Sequence, residues 1–207
     1  QQQHRQALAE ANLADARLRQ LRGDLQPHFL FNTLNDVAAL APRDGAAAAE
    51  AISQLADLLQ RSTEEERSHV RLSQELDFIR QYLDLQKLRF GPRLRTRIEV
   101  DDPDLLSASI PTLLLQPLVE NSIVHGIRKL ADGGTVTVRA ARTGDELRFE
   151  VRDTGPGCDP TTPFANGHVG VTNTVARLGY LYGDAPWLRY RRDGGEFVAE
   201  LRVPVHA

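Results

Sequence analysis

Apolar residues change their spacing once along this 207-residue chain, near residue 91, and that change restricts the fold to two parts of different kind. Before it, they return every three or four residues. Ala7, Ala11, Ala14, Leu18, Leu21 and Leu25 step by 4-3-4-3-4, a heptad seam. Alanine at half of these positions makes the seam weak alone and points to pairing with another helix. Pro27 interrupts it, because proline removes a helix hydrogen bond and kinks the chain. Leu30, Leu34, Val37 and Ala41 then restart an apolar stripe. "APRDG" at 41–45 is a turn signal, and Ala48, Ile52, Leu55 and Leu59 mark one face of the next helix. A third helical pattern runs from Ser73, read as an N-cap, to about Phe90, where "FGPR" ends it.

Beyond residue 91 the period is two. Leu94, Thr96, Ile98 and Val100 alternate with charged residues, as in a half-buried strand. Val136, Val138 and Ala140 form a second strand, Leu147, Phe149 and Val151 a third, and Phe197, Ala199, Leu201 and Val203 a fourth. Between them, "IPTLLLQPLVENSIVHGIRKL" reads as one long helix with Pro111 in its first turn, and "GVTNTVARLGYLYG" as another. The fold class expected is α+β. A helical hairpin, closing as a four-helix bundle in a dimer, precedes a sandwich of one sheet covered by helices on one face. The division expected is 1–72 for the helical region, 73–90 for a connecting helix and 91–207 for the sandwich.

The net charge of −3 argues against direct nucleic-acid binding, which needs a clustered basic surface. The one dense basic run, Arg189 to Arg192, reads as a solvated face between strands. A single cysteine, Cys158, excludes an intramolecular disulfide framework and fits a reducing compartment. No run of about 18 apolar residues offers a membrane span, and no signal peptide is expected within this stretch. The chain begins "QQQHRQ" and contains no methionine, so it reads as a piece of a longer protein whose upstream part could hold membrane segments.

Three polar motifs stand out in the second half. "ENSIVHG" places Glu120, Asn121 and His125 after a very apolar stretch. Asparagine is costly to bury unpaired, and its side-chain oxygen suits a hard cation such as Mg²⁺; a solvent-facing cluster at a helix end is the alternative. "VRDTGPGCD" puts Asp153 at a strand end, able to accept from an exocyclic amine, with Gly155 and Gly157 letting backbone approach a flat ring. An ordinary turn has the same composition. "NGHVGVTNTVARL" sets Gly167 and Gly170 before a helix starting near Val171, where backbone N–H groups can hold phosphate. A simple loop is again the alternative. The segment between Gly157 and Gly167 reads as a lid. In this order and spacing the three resemble the GHKL, or Bergerat, ATP-binding fold over residues 91–205. The resemblance implies ATP and Mg²⁺ as cofactors, Asn121 as the Mg²⁺ ligand, Asp153 as the adenine reader, and Gly155, Gly157 and Gly170 shaping the pocket, with His125, Gly167 and Val171 in the same motifs.

The stretch "LQPHFLFNTLND" then takes on meaning. At 100° per residue, His28 falls about 160° from Leu30, away from the apolar stripe, with Asn32 beside it one turn on. No second ligand stands at zinc spacing. An exposed histidine on a dimerising hairpin, in a chain with an ATP fold, is a candidate phosphoacceptor. Here the chain resembles the LytS-type sensor histidine kinases, through "QPHFLFNTLN", "YLDLQKLRFGPRL", "LLLQPLVENSIVHGI", "DTGPG" and "GVTNTVARL". The resemblance implies autophosphorylation of His28 within a homodimer, then transfer to an aspartate on a response regulator, often one of LytTR type. It also implies that this is the cytoplasmic domain of a protein anchored in the inner or plasma membrane by upstream segments. Glu120 is expected to reach His28 in the transfer state, and Asn32 to orient a water that dephosphorylates the regulator.

The chain departs from that family in places. Val124 stands where a lysine is usual, Val171 where leucine is usual, Val175 where arginine is frequent, and "GGEF" at 194–197 where a Gly-Gly-Thr-like turn is common. A nucleotide-binding scaffold without transfer is therefore one alternative reading. A GHKL ATPase is another, disfavoured by Pro117 where those enzymes carry a water-activating glutamate.

Overall fold

The computed structural model describes residues 27–63, 69–157 and 169–205, with backbone only at 27–32, 57–63 and 169. The heptad seam at 7–25, the lid segment, Cys158 and Gly167 lie outside the described residues. The chain divides into two compact units, the first ending at Glu65 and the second beginning at Glu66.

The first unit contains α1 (Pro27–Leu40) and α2 (Gly45–Thr63), joined by a tight turn in which the Asp44 carboxylate accepts the Ala47 N–H at 2.9 Å. The helices meet along Thr33 and Val37 on one side and Ala48, Ala51 and Leu55 on the other, all buried. These spacings of four, three and four are one face of each helix, and the alanines let the two backbones approach. The expected stripes are only partly buried within the hairpin. Leu34 is 50% exposed and Ile52 is 53% exposed, so both lie on the outside of the hairpin.

The second unit opens with β1 (His69–Arg71) and α3 (Leu72–Phe90). The helix starts one residue before the expected Ser73 cap. Arg71 is held extended by pairing with Ser109, its N–H donates to Gln74 Oε1 at 3.1 Å, and Leu72 N–H donates to the Ala108 carbonyl. Helix α3 belongs to this unit rather than linking two others: Leu72, Leu76, Ile79, Tyr82 and Leu83 are each at most 2% exposed. After β2 (Leu94–Val100) comes β3 (Ser109–Pro111), which pairs antiparallel with β1. Pro111 therefore ends a strand. The helical run begins only at Gln116, and Pro117 is the proline in its first turn. Helix α4 (Gln116–Asn121) runs on into a wider π turn (Ser122–Gly126) and a short 3₁₀ turn (Ile127–Lys129).

Strands β4 (Gly134–Thr143) and β5 (Glu146–Asp153), helix α5 (Val169–Tyr182), and strands β6 (Leu188–Asp193) and β7 (Glu196–Pro204) complete the unit. The five-stranded sheet runs β2-β4-β5-β7-β6, parallel at β2–β4 and antiparallel elsewhere. Directly paired residues share a face. Val136, Val138, Val151, Phe149 and Leu201 are fully buried on the side facing the core, each contributing roughly 1.5–3 kcal/mol. The basic run at 189–192 is part of β6 rather than lying between strands. Its Arg191 lies on the opposite face of the sheet, where it binds the buried Glu150 at 2.8 Å. Burial pushes the Glu150 carboxyl up, but bonds to Arg152 and Arg191 and the charge of Arg148 hold it below its ordinary value.

Candidate functional site

A recess of about 360 Å³, open space at its mouth included, opens between the α4 run and the ends of β5, β6 and β7. Leu118, Asn121, Ser122 and His125 line it at spacings of three, one and three, the face of a helix. Gly126 joins them because the helix widens there: the Ile127 N–H reaches back to the Ser122 carbonyl as well as to Ile123. Single π turns of this kind occur often at functional sites.

Asp153 forms the floor. It is the last residue of β5, lies opposite Phe197 of β7, and is 2% exposed. Burial raises its pKa, while the Gly155 N–H, donating to Oδ1 at 2.9 Å, and a hydrogen bond with Ser122 work the other way. Two glycines make this geometry possible. A Cβ on Gly126 would stand 2.4 Å from Asp153 Oδ1, and one on Gly155 would stand 2.3 Å from the Gly126 Cα. Gly157, at φ +64, lines the mouth, with the Phe197 ring where its Cβ would be. Phe197 and Tyr190 stack at 5.4 Å with rings 20° apart, forming an apolar wall with Ala199.

The structure thus brings together Asn121, His125, Asp153, Gly155 and Gly157. It does not bring Val171 into the recess, since that side chain is 1% exposed in the core. Gly170 lies at the start of α5 against Pro117, where an added Cβ would sit 3.3 Å from the proline Cβ. Glu120 turns away from the recess into the unit's interior. It accepts from Gln116 Nε2 at 2.7 Å, and burial pushes its pKa up to about 7. His28 and Asn32 lie on α1, with backbone described and side chains not. Val124 is half-buried beside His125. Ser122, Gly126, Tyr190 and Phe197 were missed by the sequence reading. The close Gly-to-Asp approach of Gly126 left no local signal, and the aromatic wall depends on strand register.

The recess suits a flat heterocycle with an amino group: an aromatic wall, a carboxylate floor, and glycines that admit close approach. Among the described residues no three His, Cys, Asp or Glu side chains group as a metal site. A metal here would take one amide oxygen, from Asn121, and complete its shell with phosphates and waters. That fits Mg²⁺, which keeps its waters and accepts few protein ligands.

Comparison with known proteins agrees with this geometry. Residues 16–94 match the histidine kinase family, and residues 109–205 match the family described as histidine kinase-, DNA gyrase B-, and HSP90-like ATPase. The sensor histidine kinase YpdA of Escherichia coli is 33% identical over 201 residues, 92% of this chain. The chain belongs to the histidine kinases. Its core is of the LytS type: the sensor protein LytS of Oceanobacillus iheyensis is 35% identical over 146 residues, 70% of this chain and 25% of that protein. The chain spans 35% of the length of YpdA. Histidine kinase ThkA, solved in complex with response regulator protein TrrA, shares the fold, with a TM-score of 0.51 at 13% identity over 98% of this chain and 64% of that one. Within this kinase core the second unit carries the GHKL sandwich, and no described helix is long and apolar enough to cross a membrane.

Proposed function

We propose that this chain binds ATP with Mg²⁺ in the recess of its second unit and transfers the γ-phosphoryl group to His28 on α1. The phosphoryl group then passes to an aspartate of a response regulator. The observation that carries this reading is the recess itself, with the Asn121 amide and the Asp153 carboxylate facing one cavity walled by Tyr190 and Phe197. Asp153 accepts from the base amino group, the aromatic wall covers the base, and Asn121 holds the metal. Mg²⁺ bound with the phosphates supplies charge neutralisation, which together with positioning is most of what phosphoryl transfer requires. Glu120 is assigned as the partner of the His28 ring in the transfer state, exchanging its bond to Gln116 for one to the histidine. A carboxyl with pKa about 7 is suited to that exchange at neutral pH.

The exposed Leu34 and Ile52 support a homodimer, in which a second hairpin covers the outer face of the first. The names of the relatives support a sensor role, the ThkA complex supports a response regulator as partner, and the upstream membrane anchor and the LytTR type rest on the resemblance noted above.

Incubation of the chain with γ-labelled ATP and Mg²⁺ tests the reading. The expected product carries an acid-labile, base-stable label. His28→Gln abolishes the label with ATP binding nearly unchanged, and Asp153→Asn weakens ATP by about 1–3 kcal/mol through the lost charge-assisted bond. Label retained in His28→Gln overturns the assignment of His28. ATP bound without any label replaces the kinase reading with a nucleotide-binding scaffold, which Val124 favours.

A further inference from the structure

The loop Thr112–Leu115, which launches the helix bearing Asn121, is held from two directions by side chains distant in sequence. Glu75 of α3, 3% exposed, accepts the Leu113 N–H at 3.0 Å through Oε2 and the Leu115 N–H at 2.9 Å through Oε1. Arg177 of α5 donates from Nη2 to the Thr112 carbonyl and, at 3.4 Å, to the Leu113 carbonyl. Between these grips Leu113 has φ +49, the one left-handed non-glycine residue among those described. A leucine there is strained, and such strain persists only where the surroundings over-determine it. Nine residues beyond Leu113 stands Ser122, the first residue of the wide turn, directly after Asn121.

The same contacts tie α5 to α4. Arg177 holds the loop before α4, and Gly170, two turns earlier on α5, packs against Pro117 in the first turn of α4. The start of α5 and the helix carrying Asn121 are thereby kept in one register, with Glu75 fixing that register to α3.

We infer that Glu75 and Arg177 are positioning residues: by clamping the strained Thr112–Leu115 loop they set Asn121 where the recess can hold a metal-bound phosphate. This rests on the nucleotide-binding reading above. Neither side chain lines the recess, so the inference assigns them no contact with ligand. It separates two parts of nucleotide binding. The base is read by Asp153 on β5, which the clamp does not touch. The metal-dependent part runs through Asn121, which it does.

The test compares ATP affinity of the full chain with Mg²⁺ and with chelator, in wild type, Glu75→Gln, Arg177→Lys and Asn121→Ala. Glutamine at 75 offers one acceptor where the loop needs two, and lysine at 177 keeps the charge but, being shorter, does not set a donor where Nη2 meets both carbonyls. The expected result is a Mg²⁺-dependent gain in wild type that falls about tenfold in each variant, while affinity in chelator stays within about twofold in Glu75→Gln and Arg177→Lys. Loss of affinity in equal proportion with and without Mg²⁺ would mean the clamp only stabilises the fold, and it overturns the inference. So does a gain retained in both clamp variants while Asn121→Ala loses it. If either clamp variant does not fold, the other decides. A wild-type chain that binds no ATP overturns the nucleotide reading, and this inference with it.

Discussion

Glu120 holds a proton in the folded chain that it gives up in the unfolded one. Burial moves its pKa from 4.5 to about 7, against the opposing bond from Gln116. Between those values the folded state binds the extra proton, so its contribution to stability is greatest at the acid end and falls as pH rises through the window. The gap of 4.5 to about 7 corresponds to about 3 kcal/mol. Glu120→Gln removes the titration, so the variant should gain on wild type by up to that amount between pH 5 and pH 8. Urea midpoints at the two pH values measure it, and a pH-independent difference would place the carboxyl in water. Asp153 was legible at this scale only through its place in the ordered set of three motifs, since an ordinary turn has the same composition. Gly126 was quoted in its motif without a role, since nothing local says that a carboxylate will stand 2.4 Å from its missing Cβ. Tyr190 and Phe197 were illegible as a pair, because their stacking follows from β6–β7 register.

Elements with a clear period were read correctly in kind: β2, β4, β5, β7, α2, α3 and α5 all stand close to where the apolar spacing put them. The run from Ile110 to Leu130 was not. It is too uniformly apolar for periodicity to separate strand, loop and helix, and what ends the loop is Glu75, 38 residues upstream of Leu113. Strand β6 escaped because Arg192 follows Leu188 and Tyr190 on their own face and cuts the alternation short. Each expected hairpin stripe is split between the contact inside the hairpin and its outer face, with a consequence for assembly. Exposed Leu34 and Ile52 sit where a second hairpin would cover them. Leu34→Glu puts a charge into that contact and should convert dimer to monomer, read by sedimentation at tens of micromolar. Glutamate is tolerated on the outside of a lone hairpin, so helix content should be kept. A wild-type chain already monomeric at that concentration would remove the role given to this face.

At the scale of the whole molecule the two units differ in what they need. The second has a sheet, a full apolar core and every described residue of the recess; the first has a thin core of alanines and a few larger residues. Residues 66–207 alone should therefore fold and bind ATP about as well as the full chain, yet take no label from γ-labelled ATP, because His28 is absent. Calorimetry and labelling of the two forms side by side check both halves of that statement. Aggregation or loss of nucleotide binding in the shorter form would show that the second core depends on the first. The sequence divided the chain at 91 because the period changes there; the molecule divides at 65, because α3, though helical like its predecessors, buries its apolar face within the second unit.

A helix that widens for one turn has taken in one residue more than its length requires. In an unbroken α-helix Asn121 and Gly126, five residues apart, would lie about 140° from each other around the axis; the wide turn lets both face the recess. Losing one residue between them would leave both flanks in place and close the turn into ordinary helix, a change the fold would accept with ease and the recess would not survive. In any lineage of such chains, the length of this segment is therefore a better record than its composition of whether the recess is still in use.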